Sequence, residues 1–206
     1  MNSVSRKLSP TIAAVFAAAI FVCTGHAQGI QVNEAPLRDF AKSVKARIDQ
    51  KELDVTKPFS VEMSAVITDD GKLDRNASKF TAESGDPKMV ETAKQAIMAT
   101  GESGYFGYLK QAGITRATLT MTQTPQTFVG DVRSEQGMIR ARTLAAGIGM
   151  LVMMGGGQAK TENEKLILEN TKASADGGTL NIACTLPAAD FQRMILGNAA
   201  AAAPVN

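Results

Sequence analysis

The stretch that decides the fold is PFSVEMSAVITDDGKLDRNASKFTAESGDPKMVETAKQAI, residues 58–97. Apolar and polar residues alternate over Pro58–Thr68, and this period of two predicts a β-strand. The Asp-Asp-Gly-Lys sequence around Gly71 suits a hairpin turn, so Leu73–Ala82 is expected to be the returning strand. Asp86-Pro87 has the residue types of a helix N-cap and first turn, and an apolar stripe follows at helical spacing. The stretch therefore predicts a hairpin followed by a helix.

Two further hairpins are predicted in the rest of the chain. Thr115–Thr124, TRATLTMTQT, alternates cleanly, and Thr127–Arg133 returns after Pro125. The third hairpin joins Thr171–Ala175 to Thr179–Leu186 through an Asp-Gly-Gly turn. Each strand has one apolar and one polar face, which is typical of an antiparallel sheet covered on a single side. The expected fold class is α+β, with about six strands in three hairpins and helices packed on one face.

The amino-terminal segment has the pattern of a signal peptide. Arg6 and Lys7 precede an uncharged apolar run, Thr11–Thr24, and small residues stand at the cleavage positions before Gln28. The alternative is an uncleaved anchor, although the run is shorter than the roughly 20 residues of a membrane span. We expect three consecutive segments: a signal peptide at 1–27, a single α+β domain at 28–198 and a flexible tail at 199–206. The expected location is the periplasm or the exterior, without stable membrane insertion after cleavage.

Removal of the leader excludes several kinds of chemistry. The leader contains the chain's one histidine, His26, so the exported domain has no imidazole for Ser-His-Asp or Cys-His catalysis or for a His-ligated metal. Cys184 is then the one cysteine, and its position on the apolar side of a strand predicts a buried thiol. Of the 22 basic residues two lie in the leader, which leaves 20 against 20 acidic residues. We expect no enzyme, no cofactor, no metal site and no nucleic-acid partner.

Residues 58–124 resemble the carboxy-terminal domain of TonB-type and TolA-like envelope proteins. The shared order is an alternating strand, an Asp-Gly-Lys turn, a second strand, Ser-Gly-Asp-Pro and a helix with Ala-x-x-Ala. The resemblance implies an exported domain that binds partner chains through a sheet edge. The chain lacks the Pro-rich spacer of such transducers, and Gly-Tyr-Phe-Gly-Tyr at 104–108 stands where the family often has an aromatic-Pro element. Energy transduction is therefore not implied.

Two candidate sites follow. The first is a free sheet edge at Ile114–Gln123, since this strand has little charge to prevent pairing with a partner or a second copy; a plain solvated sheet face is the alternative. Its candidate residues are Arg116, Thr118, Thr120 and Thr122. The second is an apolar groove between the sheet and the helix expected from Ser134 to Met154, where core packing is the alternative. Its candidate residues are Met150, Met153 and Met154.

These sites give two functions. The leading one is a non-catalytic envelope or periplasmic domain that acts by protein–protein contact. The other is a binding protein for an apolar small molecule or lipid, held between the sheet and the Met-rich helix.

Overall fold

The computed structural model describes residues 32–157, 159 and 161–201. The predicted signal peptide and the last five residues of the predicted tail lie outside the described residues. The strands are β1 Phe59–Val66, β2 Lys79–Gly85, β3 Arg116–Gln123, β4 Thr127–Glu135, β5 Thr171–Asp176 and β6 Thr179–Pro187. The helices are α1 Ala35–Asp49, α2 Pro87–Glu102, α3 Gly107–Gln111, α4 Met138–Gly156, α5 Glu162–Glu169 and α6 Ala188–Ala201.

The six strands form one antiparallel sheet in the order β2-β1-β3-β4-β6-β5. The two strands of each predicted hairpin pair with each other. Neighbouring hairpins are joined by the pairing of β1 with β3 and of β4 with β6. The predicted α+β class and the three hairpins are confirmed. Because the hairpins join side by side, the sheet has two edges, β2 and β5.

The core lies on one face of the sheet. Val61, Leu119 and Ile182 come from three strands of this face, and none of them is more than 1% exposed. Helices α2, α4 and α6 contact the strands, while α1 packs on α2 and α6 as an outer layer. Phe128 of β4 and Phe191 of α6 stack with ring centroids 3.7 Å apart and fix the closing helix against the sheet.

Local signals in the sequence set several boundaries. The Asp86 carboxylate accepts hydrogen bonds from the backbone N–H groups of Lys88 and Met89, which starts α2 as predicted. Thr161 and Glu164 form the reciprocal hydrogen bonds of a capping box at the start of α5. Gly85 has a φ of 98°, and a Cβ there would lie 2.4 Å from the Pro58 carbonyl oxygen, so the end of β2 requires glycine.

Three predicted boundaries are wrong. The second strand begins at Lys79 rather than Leu73, because the Asp74 carboxylate accepts hydrogen bonds from Asn76 and Ala77 and holds a turn there. Ser134 does not cap α4; it lies in β4, where its hydroxyl donates a 2.6 Å hydrogen bond to the Arg116 carbonyl. Helix α6 continues to Ala201 and therefore includes the first three residues of the predicted tail.

Candidate interaction surfaces

The predicted partner-binding edge at Ile114–Gln123 is wrong, because β3 lies between β1 and β4 in the middle of the sheet. Thr120 is opposite Glu62 on one side and opposite Asp131 on the other. Its strand therefore has no free row of backbone groups. The low charge that suggested an accessible edge instead suits an interior strand, where charged side chains would crowd those of two neighbours.

The candidate residues of β3 lie on the face of the sheet opposite the helices. Thr118, Thr120 and Thr122 are half-buried there, and Arg116 is exposed. The Thr122 hydroxyl is 2.9 Å from the Ser60 hydroxyl of β1, and Thr120 accepts a 3.2 Å hydrogen bond from Arg133 of β4. We call this surface the open sheet face. Thr120 and Thr122 bond to neighbouring strands, as expected of a plain solvated sheet face.

One carboxylate on the open sheet face is in a low-dielectric position. Asp131 is 9% exposed, and its Oδ2 accepts a 2.6 Å hydrogen bond from Arg133 Nε. Burial raises the pKa of the Asp131 carboxyl, and the adjacent Arg133 guanidinium opposes this shift. Asp131 Oδ1 and Asn181 Oδ1 are buried without a hydrogen-bond partner among the described residues. Burial of these two acceptors without hydrogen bonds lowers the stability of the fold.

A shallow polar groove of about 370 Å³ lies at the end of this face. Arg116, Arg133 and Glu135 line it, so charges of both signs are present. The Thr179 hydroxyl on its rim donates a 2.6 Å hydrogen bond to Glu135. The groove is open to solvent and mixed in charge, which favours neither an anionic nor an apolar ligand.

Met150, Met153 and Met154 do not line a groove between the sheet and α4. They lie on the side of the helix that faces away from the sheet and are 60%, 75% and 55% exposed. The buried residues of α4 are Ala141, Ala145, Ile148 and Val152, which belong to the hydrophobic core. Core packing is therefore wrong for the three methionines as well. After Thr143 the helix is apolar all round, so its periodicity did not distinguish the side that packs from the side that stays exposed.

The outward side of α4 forms a largely apolar surface, in which exposed Arg142 and Thr143 lie between Ile139 and Ala146. We call it the α4 outer face; it consists of Met138, Ile139, Ala146, Gly147, Met150, Met153 and Met154. Met138 is 55% exposed and Ile139 is 84% exposed. No charged residue occurs between Thr143 and Gly157. Ala146 and Gly147 are exposed in the middle of the face, and a Cβ at Gly147 would meet nothing within 4 Å.

Among the described helices, α4 alone is long and apolar enough to cross a membrane by length and composition. Its mean hydropathy is 1.3, and 22% of the apolar window is buried. The core helix of a soluble protein is mostly buried, and α4 is not. The exposed side of a surface helix normally carries polar and charged residues, so the composition of this face needs an explanation other than the core.

The one described cysteine and the possible metal ligands complete the chemically reactive groups of the described residues. Cys184 is fully buried, as predicted, and burial raises the pKa of its thiol to about 11. Its Sγ lies 3.8 Å from the Ile167 carbonyl oxygen inside the core. No group of three or more His, Cys, Asp and Glu side chains is placed to hold a metal ion among the residues described.

Comparison with protein families, with curated proteins and with solved structures found no match to this chain. The resemblance of residues 58–124 to TonB-type domains stays a prediction. The sequence pattern indicated the methionines of the α4 outer face but predicted the wrong side of the helix for them. The uncharged run Thr143–Gly157 was the signal for this surface, since it is longer than one buried stripe requires.

Proposed function

We propose that this protein is an exported, non-catalytic domain that acts in the periplasm or bacterial envelope by protein–protein contact, and that it binds through the α4 outer face. The observation that carries the proposal is the exposure of four large apolar side chains, Ile139, Met150, Met153 and Met154, on one side of a helix. Large exposed apolar patches mark contact sites in soluble proteins.

Burial of this face supplies the free energy for binding. Complete burial of a Met or Ile side chain contributes about 1.5–3 kcal/mol, and these four side chains leave more than half of their surface in water. The available stabilisation is several kcal/mol before the entropy of association is subtracted. Methionine also adapts its shape to a partner because its side chain is unbranched and its sulfur is polarisable.

The geometry favours a protein over an apolar small molecule. A small-molecule site encloses most of its ligand in a concave pocket. The α4 outer face is the convex side of a helix, and on the other side Ile148 and Val152 fill the space toward the sheet. The alternative of a ligand held between the sheet and the Met-rich helix therefore has no structural support.

The remaining parts of the proposal depend on the sequence. The leader pattern at 1–27 supports export, and the resemblance of residues 58–124 to envelope domains supports a role in partner binding. The absence of histidine after His26 and the inert environment of Cys184 support a non-catalytic role. Amino-terminal sequencing of the exported protein tests the first point: a mature chain that begins at Gln28 is expected, and retention of residues 1–27 would contradict cleavage.

A site-specific photo-crosslinker at position 153 tests the contact surface. We expect a covalent adduct with a protein from Met153, the more exposed of the central methionines, and none from Thr185, which is exposed on the open sheet face. The adduct should disappear when Met150→Glu is added, because a carboxylate in the contact is desolvated without a partner. Equal labelling from both positions, or no protein adduct from Met153, would refute the assignment.

A matched pair of variants keeps this test independent of folding. Met150→Glu places the charge on the outer face, and Ile148→Glu places it in the core on the opposite side of the same helix. We expect the first to retain its circular dichroism spectrum and the second to unfold. Loss of the adduct in a folded Met150→Glu variant is then a property of the surface.

A further inference from the structure

We infer that the partner of the α4 outer face is a second copy of this chain, bound as an antiparallel helix pair around a two-fold axis at Ala146. The inference depends on the proposed contact function and specifies its partner. The exposed apolar area and the distribution of large and small side chains along the helix support it.

The exposed area meets the lower limit for a stable dimer. A fully exposed side chain of this size presents about 200 Å², so five side chains that are 55–84% exposed leave roughly 600 Å² of apolar surface. Two copies together would bury at most about 1,200 Å², the lower end of the range for specific interfaces. A two-fold contact uses the same face twice, so no second apolar surface is required.

Two large apolar side chains of the face, Ile139 and Met153, lie at equal distances along the helix from Ala146. The exposed residues recur at alternating spacings of four and three, as one stripe along the helix: Ile139, Thr143, Ala146, Met150 and Met153. In an antiparallel pair centred on Ala146, Ile139 of one copy lies level with Met153 of the other. Arg142 of one copy likewise lies level with Met150 of the other. Large apolar side chains then meet at both ends of the contact.

The centre of the face permits close approach of the two helices. Ala146 and Gly147 are the small exposed residues there, and the space next to Gly147 is open. Small residues at a crossing point allow two helix backbones to come nearer than larger side chains would. The longer methionines reach across at the ends, where a crossing pair diverges. The face therefore complements a second copy of itself.

A lipid surface fits less well. Helices that lie in a membrane interface have Lys and Arg on the polar face beside the apolar one. The opposite side of α4 is packed in the core, and its exposed basic residues, Arg140 and Arg142, lie near the helix start, with none from Thr143 to Gly157. Arg140 near the helix start donates a 2.8 Å hydrogen bond to the Ala112 carbonyl within the domain.

Disulfide trapping tests the axis in the full chain carrying Cys23→Ser; Cys184 can remain because it is buried. Ala146→Cys is expected to form a disulfide between two copies, because the axis brings position 146 against itself. Met153→Cys alone is expected to form none, since its two copies lie about 20 Å apart along the helices, beyond the roughly 7 Å that a disulfide spans. A mixture of Ile139→Cys and Met153→Cys proteins should form a mixed disulfide.

Sedimentation equilibrium supplies the second measurement. The unmodified chain is expected to be a dimer at micromolar concentration, and Met153→Glu should raise the dissociation constant by at least about 100-fold, because two unpaired carboxylates enter the contact. The Ala146→Cys protein should keep the spectrum of the unmodified chain. Two results would overturn the inference. One is a chain that is still monomeric at about 100 µM; the other is a disulfide yield from Met153→Cys as high as that from Ala146→Cys.

Further outcomes separate this inference from the proposed function. A monomer whose Met153 crosslinker labels a different, identified protein would overturn the second-copy partner and leave the contact function in place. Binding of a monomer to vesicles of phosphatidylethanolamine and phosphatidylglycerol, lost in Met153→Glu, would overturn both. Trapping of the dimer through Ala146→Cys in intact cells would support both.

Discussion

Thr120→Pro is the sharpest test of the strand order. Thr120 is central in β3, with β1 on one side and β4 on the other. Proline removes the backbone N–H and leaves the facing carbonyl without its donor, which costs about 1–3 kcal/mol. The ring also clashes with its surroundings in an interior strand, so a total of about 4 kcal/mol is expected. For a chain of this size that loss lowers Tm by roughly 8–16 °C.

Thermal and urea unfolding followed by circular dichroism measure this loss. Thr120→Val is the matched control, because it keeps the N–H and removes only the hydroxyl that accepts a bond from Arg133; a change within about 1 kcal/mol is expected. Ala82→Pro and Glu83→Pro probe the edge strand β2, where the N–H groups of consecutive residues alternate between β1 and solvent. The variant of these two that removes a solvent-facing N–H should lower the free energy of unfolding less than Thr120→Pro does. A folded Thr120→Pro variant as stable as Thr120→Val would refute the interior position of β3.

Three further predictions concern single side chains. At low protein concentration Met153→Glu should change the free energy of unfolding by less than about 0.5 kcal/mol and Ile148→Glu should lower it by more than about 4 kcal/mol; similar losses in urea titrations would mean that α4 is oriented differently. Cys184 should react with iodoacetamide at least about 100-fold more slowly in the native protein than in urea, because its pKa rises from 9.0 to about 11; equal rates would contradict its burial. Burial gives Asp131 a folded pKa above its unfolded value of 3.8, so its contribution to stability falls as pH rises above about 4. Asp131→Asn should therefore gain stability relative to the unmodified chain between pH 4 and pH 7, whereas Asp39→Asn, with a side chain that is 76% exposed, should not; parallel curves for both variants would refute the effect.

The candidate site was only partly predictable from the sequence. The uncharged run from Thr143 to Gly157 drew attention to α4, and the threonines of β3 were correctly placed away from the core. The side of α4 that faces the sheet was not predictable, because a helix that is apolar all round has no single apolar direction. Composition therefore located the surface, and packing determined which residues form it.

The sequence by itself determined the hairpins, the helix starts at Asp86 and Thr161, and the α+β class. It also determined that Cys184 lies on the buried side of its strand. These features depend on contacts between residues close in the chain, such as a cap and the N–H groups that follow it, or on the alternation of one strand. Only the tertiary structure decided that β3 is interior, that Ser134 belongs to β4, and that Met150, Met153 and Met154 face outward. Each of these depends on which distant segments compete for the same backbone groups and the same apolar surface, and a local pattern does not specify that choice.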